Sequence, residues 1–176
     1  ARKEQALTQS FWERTEMKDT GLQFIVRPIG VIHSPFRTKE ETPIQGRFRP
    51  DAVGSIEIYE EYSEGLKDIE GFSHIFLIYP FDRAGRVELV RPVLLDDEPH
   101  GIFACRYPAR PNCLGLTIVE LIGRNGSTLE VAGIDVLDGT PLVDIKPYVA
   151  RFDCFPHAKE GWFKGKENRQ KPKGRE

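Results

Sequence analysis

The sequence predicts an all-β fold, a closed or nearly closed antiparallel sheet with no more than short peripheral helices, on three observations. Short apolar or alternating runs recur along the chain, and such runs read as strands. Turn-forming residues separate them at close spacing, as in Arg124-Asn125-Gly126-Ser127 and Asp138-Gly139-Thr140-Pro141. Long amphipathic helices are missing, and so are GxGxxG after a strand and GxxxxGK[ST], which argues against a doubly wound nucleotide-binding sheet.

Residues 1–20 are polar, but Leu7 and Phe11 stand four apart, the spacing of one helix face. They are expected to form a peripheral extension, as a short docked helix or a loose tail. The run FIVRPIGVI from Phe24 is β-branched and interrupted by Pro28, which predicts an edge strand or two short strands. A long loop follows through Pro35, Pro43, Gly46 and Pro50, and long loops in compact domains often serve function. GSIEIY alternates, as a half-buried strand does, up to about Tyr59. EEYSEGLKDIEG is the one internal candidate for a short helix, weakened by Gly65 and stopped by Gly71.

HIFLIYPF is continuous and apolar, the pattern of a buried strand. RAGRVELVRPVLLDDEPHG reads as loop, GIFACRY as a short strand and PARPNCLG as a tight irregular segment. LTIVELIG, STLEVAGI and the stretch from Val136 to Ile145 complete the strands. Beyond Asp153 the chain turns polar, and KGKENRQKPKGR is basic and nearly free of apolar residues, a composition expected to be loosely held. The expected organisation is an extension over 1–20, a barrel domain over 21–153 and a basic tail over 154–176.

Composition narrows the function. The chain has 176 residues, fitting one domain, and a formal net charge of -2. That balance excludes a grip on nucleic acid by bulk charge and leaves room for a local basic patch. No run approaches the roughly 20 apolar residues of a membrane helix, and no apolar segment follows the charged start as in a secretory signal. Cys105, Cys113 and Cys154 form no CxxC pair and suit a reducing, cytoplasmic setting. His33, His74, His100 and His157 show no metal-ligand spacing, so no metal is expected.

Four segments offer chemistry beyond what a plain barrel requires. Ser34-Pro35-Phe36 with Gln45-Gly46-Arg47 could give a ligand a hydroxyl, an aromatic face for a cation and an amide; an ordinary turn beside a surface arginine has the same appearance. Ser73-His74 stands at the mouth of the apolar run, where a histidine can bind or act as a base, or simply be satisfied structurally. Arg106 to Leu116 sets Arg106, Arg110 and Asn112 on a proline-stiffened turn, and arginine forks hold carboxylate or phosphate at two points; surface salt bridges are the alternative. Asp135 to Tyr148 threads Asp135, Asp138, Asp144, Lys146 and Tyr148 through apolar strand residues. The Asp138-Gly139-Thr140-Pro141 turn could meet a nucleoside, and Asp144 and Lys146 share a strand face as an ion pair or as a carboxylate near a reacting nitrogen.

The segments PIGVIHSPF, GFSHIFLIYPF, GIFACRYPARPNCLGL and DVLDGTPLVDIKPY, in this order from Ile29 to Asp153, resemble the motif set of the TrmO, or TsaA-like, family of tRNA methyltransferases. The resemblance implies a single-sheet β-barrel, a homodimer and S-adenosylmethionine as cofactor. It also implies methylation of N6 of N6-threonylcarbamoyladenosine at tRNA position 37. By motif match the cofactor site would take Ser34, Pro35, Phe36, Gln45, Ser73, His74, Arg106, Leu116, Asp138, Gly139, Thr140 and Pro141. Arg110, Asn112 and Lys146 would face the substrate, and Asp144, His74 or Tyr148 would position or deprotonate the target nitrogen. The chain departs from the family's Thr-Arg-Ser-Pro at Cys105-Arg106-Tyr107-Pro108, from its Asn-Pro at Asn112-Cys113, and from its usual His at Asp82. These departures bear on substrate choice more than on cofactor binding. Two other functions fit the same residues: an S-adenosylmethionine enzyme acting on another nucleotide or small molecule, and a non-catalytic ligand-binding barrel.

Overall fold

A computed structural model describes residues 24–166; the extension over 1–20 and the end of the basic tail lie outside them. Seven strands form one sheet: β1 (Gly30–His33), β2 (Val53–Ile58), β3 (His74–Pro80), β6 (Leu114–Asn125), β7 (Thr128–Ala132), β8 (Thr140–Leu142) and β9 (Asp144–Pro147). Their order is β8-β1-β2-β7-β6-β3-β9, and all neighbours pair antiparallel. The two ends of that order, β8 and β9, are separated in sequence by Val143 alone. Leu142 accepts a backbone hydrogen bond from Ile29 (2.8 Å), and Val143 donates the next to Ile78 (2.8 Å). One extended segment thus leaves β1 and joins β3, and the sheet closes into a barrel without a long bare edge.

Alternation explains the core. Ile75, Leu77 and Tyr79 of β3, Val119 of β6, Leu129 and Val131 of β7 and Ile56 of β2 point inward and are buried together with Ile32, Ile134 and Leu142. Burying each such aliphatic side chain contributes roughly 1.5–3 kcal/mol. The β6–β7 hairpin turns at Gly126, whose φ of 60° is the left-handed conformation that such turns demand. The register between the two strands slips between Leu121 and Gly123, and this bulge bends the long β6 strand around the barrel.

The structure revises several expectations. Pro28 precedes β1, and β1 lies between β8 and β2 rather than at an edge, because closure leaves Gly30 to Ile32 bonded on both sides. The expected helix over 60–71 is two 3₁₀ turns, Glu60–Leu66 and Ile69–Gly71, which bury only Leu66 and Ile69. GIFACRY forms a 3₁₀ turn at Ile102–Ala104 rather than a strand. Its buried residues Ile102 and Cys105 stand three apart, the period of a 3₁₀ turn and not of a pleat. The segment expected to be loop carries β4 (Val90–Pro92) and β5 (Pro99–Gly101), a small hairpin of its own. Val136 to Ile145 is not one strand: its first residues form the turn that leads into β8, and β9 follows.

The chain leaves the barrel through a single helical turn, α1 (Ala150–Asp153), and returns over the β4–β5 hairpin. The Trp162 indole donates to the Ala104 carbonyl (2.7 Å) and stacks on His100 at 4.2 Å between ring centroids. Lys166, expected to be loosely held, pairs with Asp96.

Candidate active site

Two backbone segments meet beside the site. Ser34 donates from its hydroxyl to the Val136 carbonyl (2.6 Å) and from its amide to the Asp138 carboxylate (3.1 Å). Asp138 returns its own amide to the Phe36 carbonyl (2.7 Å), and the Gly139 amide bonds to the Ile32 carbonyl (2.9 Å). The first and fourth motifs are therefore one hydrogen-bonded unit. Arg83 clamps it: its guanidinium donates to the Asp138 carbonyl (3.0 Å), the Thr140 hydroxyl (2.7 Å) and the Leu137 carbonyl (3.4 Å). Nothing in the polar, Gly-bearing loop around Arg83 distinguishes that residue by sequence.

The loop over 34–50 is tied to the far end of the barrel at Gly46. Its amide donates to the Asp135 carboxylate (2.8 Å). A Cβ at this position would lie 1.9 Å from the Gly133 carbonyl oxygen, so the backbones approach as only glycine allows. Adjacent Gln45 accepts a short hydrogen bond from the Arg106 guanidinium (2.6 Å). One dipeptide thus tethers a cation and a carboxylate. The other oxygen of Asp135, Oδ1, is shielded from solvent and has no hydrogen-bond partner. Burial pushes the Asp135 carboxyl above its ordinary range, while the Thr117 hydroxyl, the Gly46 amide and the charge of Arg106 pull it down. Tyr79, facing the same barrel end, is pushed well above its ordinary value by burial and then by the charge of Asp135.

These groups line an open cavity of about 1660 Å³ between the outer face of β3 and β6 and the segment that carries β4 and β5. It is larger than the roughly 300–1,000 Å³ typical of small-molecule sites. Gln45, His74, Arg106, Arg110, Asn112, Leu116, Thr140 and Tyr148 all line it. Tyr148 packs against Phe76 (5.6 Å between centroids) and meets His74 edge-on (6.2 Å). Its hydroxyl is raised by burial and then by Cys154 and Asp153, which keeps it protonated as a donor. His74 Nδ1 is 3.0 Å from the Ser73 hydroxyl. Arg110 also holds its own loop through the Cys105 carbonyl (3.1 Å).

The remaining candidates stand outside that lining. Phe36 is only 6% exposed and belongs to the core, while Phe76, Phe81 and Tyr148 are among the aromatic residues of the lining. Ser34 borders a separate, shallower hollow of about 600 Å³ with His33 and Arg124. Pro35, Ser73, Asp138, Gly139 and Pro141 build or flank the walls without forming the lining. Asp144 pairs with Lys146 at 2.8 Å on β9, also away from the lining. Among the described residues no cluster of three His, Cys, Asp or Glu could hold a metal, and no helix is long and apolar enough to cross a membrane.

Comparison with known proteins places this geometry. Residues 31–154 match the model of the tRNA-methyltransferase O N-terminal domain. A protein of Pyrococcus abyssi, named as a probable S-adenosyl-L-methionine-binding protein, is 50% identical over 80% of this chain and 77% of its own. The human tRNA (adenine(37)-N6)-methyltransferase is 32% identical over 77% of this chain and 32% of its own length. A crystal structure of TrmO from Pseudomonas aeruginosa superposes with a TM-score of 0.70 at 35% identity, over 86% of this chain and 65% of that one. The chain therefore spans about a third of the human relative and under two thirds of the bacterial one.

Proposed function

The chain belongs to the tRNA-methyltransferase O family, and from that premise we propose that it is an S-adenosylmethionine-dependent methyltransferase of N6-threonylcarbamoyladenosine at tRNA position 37. The carrying observation is the convergence of Gln45, His74, Arg106, Leu116, Thr140 and Tyr148, from separate motifs, on one cavity. The residues fit the cofactor: an exposed guanidinium and an apolar, aromatic wall suit a molecule with a carboxylate end, a cationic sulfur and a nucleoside. When bound, S-adenosylmethionine supplies an activated methyl group.

The protein's contribution is placement, worth up to roughly 7–11 kcal/mol when reacting atoms are held in line. The Arg106–Gln45 bond fixes one end of the cavity, and Arg83 fixes the turn that presents Thr140. His74 is the candidate to accept the proton of the target nitrogen, with the Tyr148 hydroxyl donating a positioning hydrogen bond. Asp144 and Lys146, as an exposed ion pair, are suited to orient the nucleotide at the rim, and Arg110 and Asn112 to meet its polar edges. Ser34, Pro35, Phe36, Ser73, Asp138, Gly139 and Pro141 serve the cofactor by shaping the walls.

A homodimer is part of this reading. Leu116 is 59% and Ile118 44% exposed on the outer face of β6, and their cross-strand neighbours there are Ile78 and Phe76. Phe76, Leu116 and Ile118 also line the cavity, so this reading places the partner copy over the rim of the site, where an exposed apolar strand face supports an interface. An Ile118→Glu variant should shift the mass seen by light scattering from dimer to monomer; an unchanged mass would remove this face from the interface. A cytoplasmic location is supported by three cysteines without a disulfide.

The test is calorimetric binding of S-adenosylmethionine followed by mass spectrometry of tRNA nucleosides after incubation. A methyl added to threonylcarbamoyladenosine supports the proposal. Binding with no modified nucleoside in any tRNA pool would rule out this substrate.

A further inference from the structure

Three aromatic rings form a column beside the β4–β5 hairpin. His100 stacks on Trp162 with 4.2 Å between centroids, and Trp162 stacks on Phe163 with 3.8 Å. The column is fixed at its base and its middle. His100 Nε2 lies 3.1 Å from the Asp96 carboxylate, and the Trp162 indole donates to the Ala104 carbonyl (2.7 Å). Its far end is open: Phe163 is 37% exposed and, like Trp162, lines the main cavity. Trp162 covers one face of that ring, so the opposite face is the one left to a ligand. A stack already held in place costs little ordering on binding, and another flat π system continues it.

Two observations select the ligand. Asp153 and Glu160, near the column in sequence, line the same cavity, which disfavours a phosphate at the ring and suits an uncharged base. Directly after Phe163 the chain is basic, with Lys164, Lys166, Arg169, Lys171, Lys173 and Arg175 against Glu167 and Glu176. A stacking ring followed by cations suits single-stranded nucleic acid, with base on ring and backbone on charge. Trp162 and Phe163 also lie beyond residues 31–154, the part matched by the family model, so the column is this chain's own addition to that domain.

We propose that Phe163 binds substrate by stacking on an unpaired nucleobase of the tRNA anticodon loop. The contact presupposes the tRNA methyltransferase reading and adds to it a grip on the loop around the target nucleotide, apart from the cofactor.

Phe163→Leu keeps apolar bulk and removes the π face, whereas Phe163→Tyr keeps both. Fluorescence anisotropy on the full chain, at one salt concentration, would compare two probes. One is a synthetic anticodon stem-loop RNA carrying N6-threonylcarbamoyladenosine at position 37, and the other a fully paired RNA duplex of equal charge. The leucine variant should bind the stem-loop about tenfold more weakly and the duplex less than about twofold more weakly, while the tyrosine variant binds both as the wild type does. S-adenosylmethionine affinity and melting temperature should be unchanged in both variants.

Stem-loop binding by Phe163→Leu within about twofold of wild type would overturn the proposal. Equal weakening of stem-loop and duplex would do the same, because the ring would then act without meeting a base. Weakened S-adenosylmethionine with unchanged stem-loop binding would assign the ring to the cofactor instead, again against the proposal. If the wild type binds S-adenosylmethionine but no stem-loop, the tRNA reading itself fails and the stacking contact with it; that failure is distinct because it shows in the wild type and not only in a variant.

Discussion

At Arg83 a single guanidinium reaches three points of the turn between Leu137 and Thr140. Hydrogen bonds from a charged donor to the backbone contribute roughly 1.5–3 kcal/mol each when shielded and less at a half-exposed site. Arg83→Ala should therefore cost about 1–2 kcal/mol in urea unfolding, and weaken cofactor binding while leaving the β6–β7 hairpin intact. Unchanged stability and binding would show the clamp to be idle. Asp135 gives a pH prediction. Its folded pKa is raised, so the stability linked to its neutral form is present below the unfolded value near 3.9 and is lost as pH rises through the folded value. Asp135→Asn should flatten that part of the stability profile in an acid titration. Neither residue could be singled out from sequence. Arg83 looks like any loop arginine, and Asp135 is one of three carboxylates in its motif; only the fold shows which is shielded. Arg106, Gln45 and Thr140 stand in the cavity lining and come from motifs with special residue types, whereas Phe36 packs in the core, because an aromatic in a loop can equally plug one.

The strands of the sheet were legible wherever a run alternated or stayed apolar, as in β2, β3, β6 and β7. The weak point was the excursion between β3 and β6. Its two three-residue strands each contain a proline, and its buried Ile102 and Cys105 follow a three-residue period. Such a hairpin is too short to be stable alone; it is held by a second small core, with Val93, Ile102 and Cys105 packed against Tyr107 and Trp162. The C-terminal segment thereby becomes part of this element. Trp162→Ala should expose the chain after Asp153 to limited proteolysis while the barrel stays resistant. Equal protection of wild type and variant would mean that the indole does not anchor the segment. Asp96 is held below its ordinary value, by Lys166 first and then by His100. A depressed carboxylate stabilises above its unfolded pKa and loses that contribution as pH falls through its folded one. In a Trp12→Phe background, Trp162 fluorescence should therefore change as pH drops below about 4, and Asp96→Asn should abolish that change.

For the molecule as a whole, a net charge of -2 leaves RNA binding to local patches. Lys164, Lys166, Arg169, Lys171, Lys173 and Arg175 concentrate positive charge in the last residues of the chain. If they touch phosphates, a chain cut after Lys166 should bind tRNA with a shallower salt dependence, by about 0.7–0.9 in the log–log slope for each phosphate no longer neutralised. An unchanged slope would assign the RNA grip to residues up to Lys166.

Closure of the barrel also fixes an order of assembly. As the chain emerges from the ribosome, β1, β2, β3, β6 and β7 can pair while β1 and β3 still show bare edges, because the strip that covers both is residues 140–147. The same strip begins at the turn clamped by Arg83. The strip that seals the sheet thus also brings Thr140 to the cavity wall, and Tyr148, Asp153, Trp162 and Phe163, which line the same cavity, follow it in the chain. Residues from both before and after the last strand thus meet in one cavity, so its lining is complete only once the chain has passed Phe163.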